Sequence, residues 1–348
     1  MSSLADEARE LAREGRWEEA AEHYETLASV TDRPEIRLQA LIFAGDAWRR
    51  ADRPARSARQ LREAMPLAQG GPMDAALHLQ LADVLLSSGQ VKVARDLAVQ
   101  ALQKATTPGV EALALDTLIG VLTALGRFDE CEIYLERLRA VAPPPARVAV
   151  SFRSASRLRR VGDLDGADQI YADLVDTLQQ RRETIGAAAA AATDRGEVAL
   201  FRGDPAAARL AYQQAAELWT VARRRAGLYR CEAGLLRAEL LDDATPLPRV
   251  LDDLIRFAEQ RQMVLLDAHL RVVRGAARAR VGLRGAEEDL DSAVLIAQLA
   301  DCPILEGRAR LVRQRSGLPG EDAAQIRLCL QGDHCWTAAA DGRGPLPW

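Results

Sequence analysis

Six times along this 348-residue chain the same short phrase recurs between two apolar stretches. The copies are Gly15-Arg16-Trp17-Glu18-Glu19-Ala20, Asp52-Arg53-Pro54-Ala55-Arg56-Ser57, Gly89-Gln90-Val91-Lys92-Val93-Ala94, Gly126-Arg127-Phe128-Asp129-Glu130-Cys131, Gly162-Asp163-Leu164-Asp165-Gly166-Ala167 and Gly203-Asp204-Pro205-Ala206-Ala207-Ala208. Their first residues lie 37, 37, 37, 36 and 41 positions apart. A period of this size marks one supersecondary unit repeated along the chain. Each copy is too small to bury its own apolar face, so it must stack on its neighbours in a quasi-one-dimensional array.

The residues around each anchor say what the unit is. Glycine at the anchor takes the positive φ that ends one helix, and Pro54 and Pro205 suit the first turn of the next. Five residues on comes a small side chain. Nine residues on stand Tyr24, Leu61, Ala98, Leu135, Tyr171 and Tyr212, and twelve on stand Leu27, Ala64, Ala101, Leu138, Leu174 and Ala215. These offsets share one helical face. In the preceding helix Ala8, Gly45, Ala82, Ala155 and Gly196 sit seven residues before their anchors, again small, so that two helices can approach closely. Runs of alternating Val, Ile, Thr or Tyr that would signal strands are missing, which argues against a parallel-sheet enzyme.

These spacings resemble the tetratricopeptide repeat family over residues 2 to 300, although the period exceeds that family's usual 34 and the second copy lacks its glycine. Two more degenerate pairs turn near Ala244-Thr245-Pro246 and Gly282-Leu283-Arg284-Gly285, giving about eight helix pairs. The resemblance implies an all-α, right-handed superhelical solenoid whose first helices line a concave groove. Carried onto this chain, the groove positions six, three and two before each anchor include Arg9, Arg13, Asp46, Arg49, Arg50, Asp83, Leu86, Arg159, Arg160 and Glu197. The chain has no Asn, and Asp46 and Asp83 stand where the family's carboxylate clamp would need it, so a co-chaperone role is disfavoured. The Arg pairs suit an acidic segment, held bidentately, or else are solvated helix ends.

Composition narrows the function classes. A net charge of −4 with 28% charged residues gives no basic excess for nucleic acid. No apolar run is long enough for a membrane span, and a charged amphipathic segment follows the start at once, so a cytoplasmic protein is expected. The five scattered cysteines read as reduced thiols. No phosphate loop or catalytic signature stands out, and neither enzyme activity nor a cofactor is expected.

Residues 142–146, with three prolines, form either a hinge or an emphatic helix stop. Residues 301–331 are expected to cap the array and 332–348 to form a tail. Cys329, His334 and Cys335 are weak metal or thiol candidates, lacking the paired spacing of a zinc site. Trp348 is a candidate docking anchor, for this molecule's own groove or for a second copy, which would make the tail a route to homo-oligomers. Three functions remain: a scaffold or adaptor binding a protein or peptide, a regulatory module acting on a separate effector, and a metal- or thiol-dependent protein using the Cys/His segment.

Overall fold

A computed structural model describes residues 2–181, 183–242, 249–320 and 322–346. Among them every regular element is a helix, and the helices run in antiparallel pairs. The first four pairs are α1 (Ser2–Arg13) with α2 (Trp17–Val30), α3 (Pro34–Arg50) with α4 (Pro54–Ala68), α5 (Asp74–Ser87) with α6 (Val91–Gln103), and α7 (Pro108–Ala124) with α8 (Phe128–Val141). Next come α9 (Arg147–Val161) with α10 (Leu164–Leu178), α11 (Ile185–Arg202) with α12 (Pro205–Ala222), and α13 (Arg225–Leu241) with α14 (Val250–Gln260). The array ends with α15 (Val264–Arg280), α16 (Ala286–Leu299), α17 (Pro303–Arg315), α18 (Ala323–Leu330) and α19 (His334–Ala340). The eight pairs expected from the repeat are α1 to α16. The turn expected at Ala244-Thr245-Pro246 lies outside the described residues.

The packing inside each pair follows from the repeat. Every anchor glycine has φ between +69° and +91°, and Asp52 takes the same left-handed conformation at +57°. The side chains five and nine residues past each anchor are all buried. The small residue seven before an anchor leaves room for the one nine after it. A Cβ at Gly45 would come within 2.6 Å of Leu61, and one at Gly196 within 2.6 Å of Tyr212. Close helix contact therefore depends on those small residues, with the core falling into three successive clusters along the array.

The three prolines end α8 and form a 3-10 turn, Pro144–Ala146, leading directly into α9. Beyond residue 300 the chain does not lapse into an extended tail. Asp333 caps α19 by accepting from the Trp336 amide at 3.3 Å, and Trp336 is buried edge-on against Phe201 at 5.2 Å. The reading of 332–348 as a tail is corrected for residues 334–340. A capping Asp and one large aromatic suffice to order so short a helix when a partner surface is present. Leu346 packs on the same cluster, while Trp348 lies outside the described residues.

The array curls far enough to meet itself. The α3–α4 turn reaches the start of α13, where Asp52 accepts from the Ala226 amide at 3.1 Å. Gly89 of the α5–α6 turn abuts Val264 at the start of α15, and Gly126 of the α7–α8 turn abuts Pro303 at the start of α17. Cys335 at the start of α19 donates to the Arg159 carbonyl just before the α9–α10 turn. Each turn thus seats on a helix five pairs later. One superhelical turn takes about five pairs, and the second stacks on the first.

Candidate functional site

Between the stacked turns lies an open cavity of about 440 Å³ lined mainly by the first helices of successive pairs, α7, α9, α11, α13, α15 and α17, together with Phe128 of α8, Tyr171 of α10 and the start of α19. The first turn of the superhelix gives the C-terminal parts of its helices, Thr123 of α7 and Arg159 of α9. The second gives N-terminal parts, Arg230 of α13, His269 of α15 and Arg308 of α17.

The lining is polar and highly charged. Glu197 accepts from the Tyr212 hydroxyl at 2.8 Å and from both terminal nitrogens of Arg237, whose side chain is wholly buried. Burial opposes its ionisation, but the charge and hydrogen bonds of Arg237 hold its carboxyl well below the usual range. Asp194 has weaker support. Burial pushes it up to about 6, with Arg159 and the Tyr171 hydroxyl opposing the rise and Glu197 adding to it. Arg159 lies over Phe201 and 3.6 Å from Asp333.

Arg308 is held differently. Its guanidinium lies 4.6 Å from the centre of the Trp336 ring, and one terminal nitrogen is 3.4 Å from His269 Nδ1. Burial, then Arg308 and Arg237, push the His269 imidazole well down, so it is neutral and its nitrogen can accept. Burial and the neighbouring Arg237 lower Arg308 itself to about 10, which still leaves it charged at neutral pH. Its Nε is buried without a hydrogen-bond partner among the described residues. Arg230 is exposed to the cavity, and no described carboxylate lies within ion-pair distance of it.

The residues expected to line a groove divide into three groups. Glu197 and Arg159 line the interior cavity. Arg9, Arg13, Asp46 and Arg50 lie at a second cavity, of about 790 Å³, beside Trp17, Tyr24 and Trp219. The remaining four, Arg49, Asp83, Leu86 and Arg160, border neither cavity. Leu86 packs on the core, and Arg160 is buried over Phe128 and donates to Glu132 at 2.6 Å.

Nor are the anticipated Arg clusters free. Arg9 pairs with Asp6 at 2.7 Å, Arg13 with Glu10 at 2.8 Å, and Arg49 and Arg50 both with Asp46 at 2.6 and 2.7 Å. Asp83 lies 4.0 Å from Arg49. The cations without a carboxylate, Arg230 and Arg308, escaped the sequence reading. The groove rule places ligand contacts near helix C-termini, which holds only as far as α11.

The Cys/His segment does not converge. Cys329 is buried against Gly307, Cys335 turns toward the Arg159 carbonyl at 2.9 Å, and His334 lies at an outer cavity on the C-terminal helices. Burial pushes the Cys335 thiol up to about 11, which is unlike a reactive thiolate. Among the described residues no group of three or more His, Cys, Asp and Glu side chains is placed to hold a metal.

No family model matches the chain, and no curated protein does. Similarity to solved structures is broad in coverage but low in identity. A Rap protein complexed with competence and sporulation factor superposes with a TM-score of 0.63 at 14% identity, covering 86% of this chain and 80% of that one. The Rap conjugation gene regulator of plasmid pLS20, in complex with the Phr* peptide, gives 0.64 at 12% identity, covering 86% and 95%. A tetratricopeptide repeat protein from Parabacteroides merdae superposes only loosely, with a TM-score of 0.37 at 15% identity, covering 85% and 98%. With its paired helices, glycine turns and small-residue contacts, the chain has the fold of the tetratricopeptide-type helical-repeat proteins.

Proposed function

We propose that this chain is a peptide-binding scaffold that holds an extended segment inside its superhelix. The observation that carries the reading is the interior cavity, walled by first helices from both turns and lined by cations with no carboxylate partner. Such a lining is costly to keep without a ligand and useful with one. An acidic segment fits best, since the buried Arg237 neutralises Glu197 and leaves the three lining guanidinium groups facing two other carboxylates.

Two structures of similar fold are described as complexes with a factor or a peptide, and one is called a gene regulator. Their resemblance favours a second, compatible reading in which the bound peptide biases the superhelix toward or away from a separate effector. Neither reading calls for catalysis. No described helix is long and apolar enough to cross a membrane. We further propose a cytoplasmic setting, with the cysteines kept as thiols, and a tail ending in Trp348 that docks on this chain or on a second copy.

The test is a fluorescein-labelled pool of random decapeptides selected on the immobilised protein. Selection should converge on a defined set of sequences, and Ser156→Trp, which fills the interior, should abolish their retention. Selected peptides that bind Ser156→Trp as tightly as the unaltered protein would place the ligand elsewhere and overturn the reading.

A further inference from the structure

We infer that the interior holds a carboxylate of its peptide between the guanidinium groups of Arg308 and Arg230. The inference rests on the peptide-binding reading above and names the chemistry of one subsite within it.

The argument begins with what Arg308 lacks. Its flat face lies on Trp336 and one terminal nitrogen on neutral His269, yet Nε is buried with no acceptor among the described residues. The interior carboxylates are committed elsewhere. Glu197 is taken by Arg237 and Tyr212, Asp194 by the Tyr171 hydroxyl, and Asp333 by the α19 amide and Arg159. Arg230, on the other side of His269 along the same row of first helices, is likewise without a carboxylate. Three guanidinium groups (Arg159, Arg230, Arg308) and three carboxylates (Asp194, Glu197, Asp333) line the cavity, but Glu197 is already neutralised by the buried Arg237 behind it, which leaves one positive charge in excess.

A guanidinium withdrawn from water with no anion beside it destabilises the fold, whereas one already immobilised on an aromatic face is prepared for a planar, bidentate partner. A carboxylate is that partner, since its two oxygens match the parallel N–H groups. It would cancel the excess charge and give Arg308 the anion that the fold withholds. The carboxylate belongs either to the peptide's free C-terminus or to an Asp or Glu side chain.

The two sources separate if the random decapeptide pool is made twice, as free acids and as C-terminal amides. Enrichment from the free-acid pool alone identifies the C-terminus. Enrichment of Asp or Glu at one position in both pools identifies a side chain. Either result supports the proposal when Arg308→Met weakens the selected peptides by at least about thirtyfold. Arg308→Met should meanwhile melt no lower than the unaltered protein, because a half-buried cation with a buried, unsatisfied Nε and no carboxylate partner has been removed. A merely structural Arg308 would show the reverse, with a lower melting temperature and unchanged affinity.

If Arg308→Met does not fold, Arg308→Lys keeps the charge but loses the fork, and binding should still fall clearly; unchanged binding overturns the proposal. Peptides without Asp or Glu that bind from the amide pool, with equal affinity for Arg308→Met, overturn the carboxylate subsite and leave the peptide-binding reading intact. A failure to enrich any sequence from either pool overturns both.

Discussion

Replacing Asp52 tests whether the two superhelical turns are clasped together. Helix α13 begins without a cap of its own, since its N-cap is Arg224, which makes no side-chain capping bond. Asp52 supplies the cap from the other turn, accepting from the Ala226 amide at 3.1 Å and from Arg224 at 3.4 Å while only 4% exposed. Losing a cap costs about 1 kcal/mol. Stranding the partly exposed Arg224 adds about another 1 kcal/mol, below the range for fully buried pairs. Alanine also suffers in the left-handed conformation at φ +57°, by about 1 kcal/mol, whereas glycine does not. Asp52→Ala should therefore lose about 3 kcal/mol. Asp52→Gly should lose less, about 1 to 2 kcal/mol, because relief of the backbone offsets part of the missing clasp. The assay is amide hydrogen exchange read by mass spectrometry on the segment containing Ala226. In Asp52→Gly its protection should fall by roughly tenfold or more, with Arg224→Ala adding little on top. Unchanged protection at Ala226, in a variant that otherwise melts normally, would show that the turns are not joined at this point.

The departure at position 52 also shows where reading the chain alone falls short. Within a pair, geometry is local: a glycine turn, a small residue seven before it and a large one nine after it sit within some sixteen positions. Pattern alone therefore finds the helices and the buried face. Closure of the superhelix is set by small rotations between successive pairs, accumulated over about five of them. Nothing at a single position announces that sum. Asp52 looks like a defective anchor until Ala226, 174 residues away, is seen to need its carboxylate. The site divides for the same reason. Arg159, on the first turn, and Glu197, on α11 where the second turn begins, follow the groove rule, while Arg230, His269 and Arg308 reach the cavity from the N-terminal parts of later helices whose turns are degenerate. The local ion pairs of Arg9, Arg13, Arg49 and Arg50 were legible as i, i+3 or i, i+4 spacings, and they neutralise the charge those residues offered to a ligand.

Two further predictions bear on the packing and the charge of the interior. A Cβ at Gly234 would lie 2.4 Å from the ring of Tyr212, which Gly196 touches from the other side. Gly234→Ala should lower stability by about 1 to 3 kcal/mol through overpacking, despite alanine's better helix propensity, and a denaturant midpoint equal to or above that of the unaltered protein would refute the tight fit. Asp194 contributes a pH dependence of its own. Its pKa is raised from 3.8 to about 6, so the folded state holds that proton more tightly than the unfolded chain. The stability linked to this group is therefore complete below about pH 4 and is lost as pH rises through about 6. A rise of that size is worth at most about 3 kcal/mol, and less for a side chain that keeps some contact with solvent. Asp194→Asn retains an acceptor for the Tyr171 hydroxyl and has no charge to bury. It should raise the melting temperature at pH 7.5, and the gain should shrink toward nothing as pH falls from 6 to 4. A gain that persists unchanged at pH 4 would show that the benefit comes from packing, and that burial of the Asp194 charge is not what strains the interior.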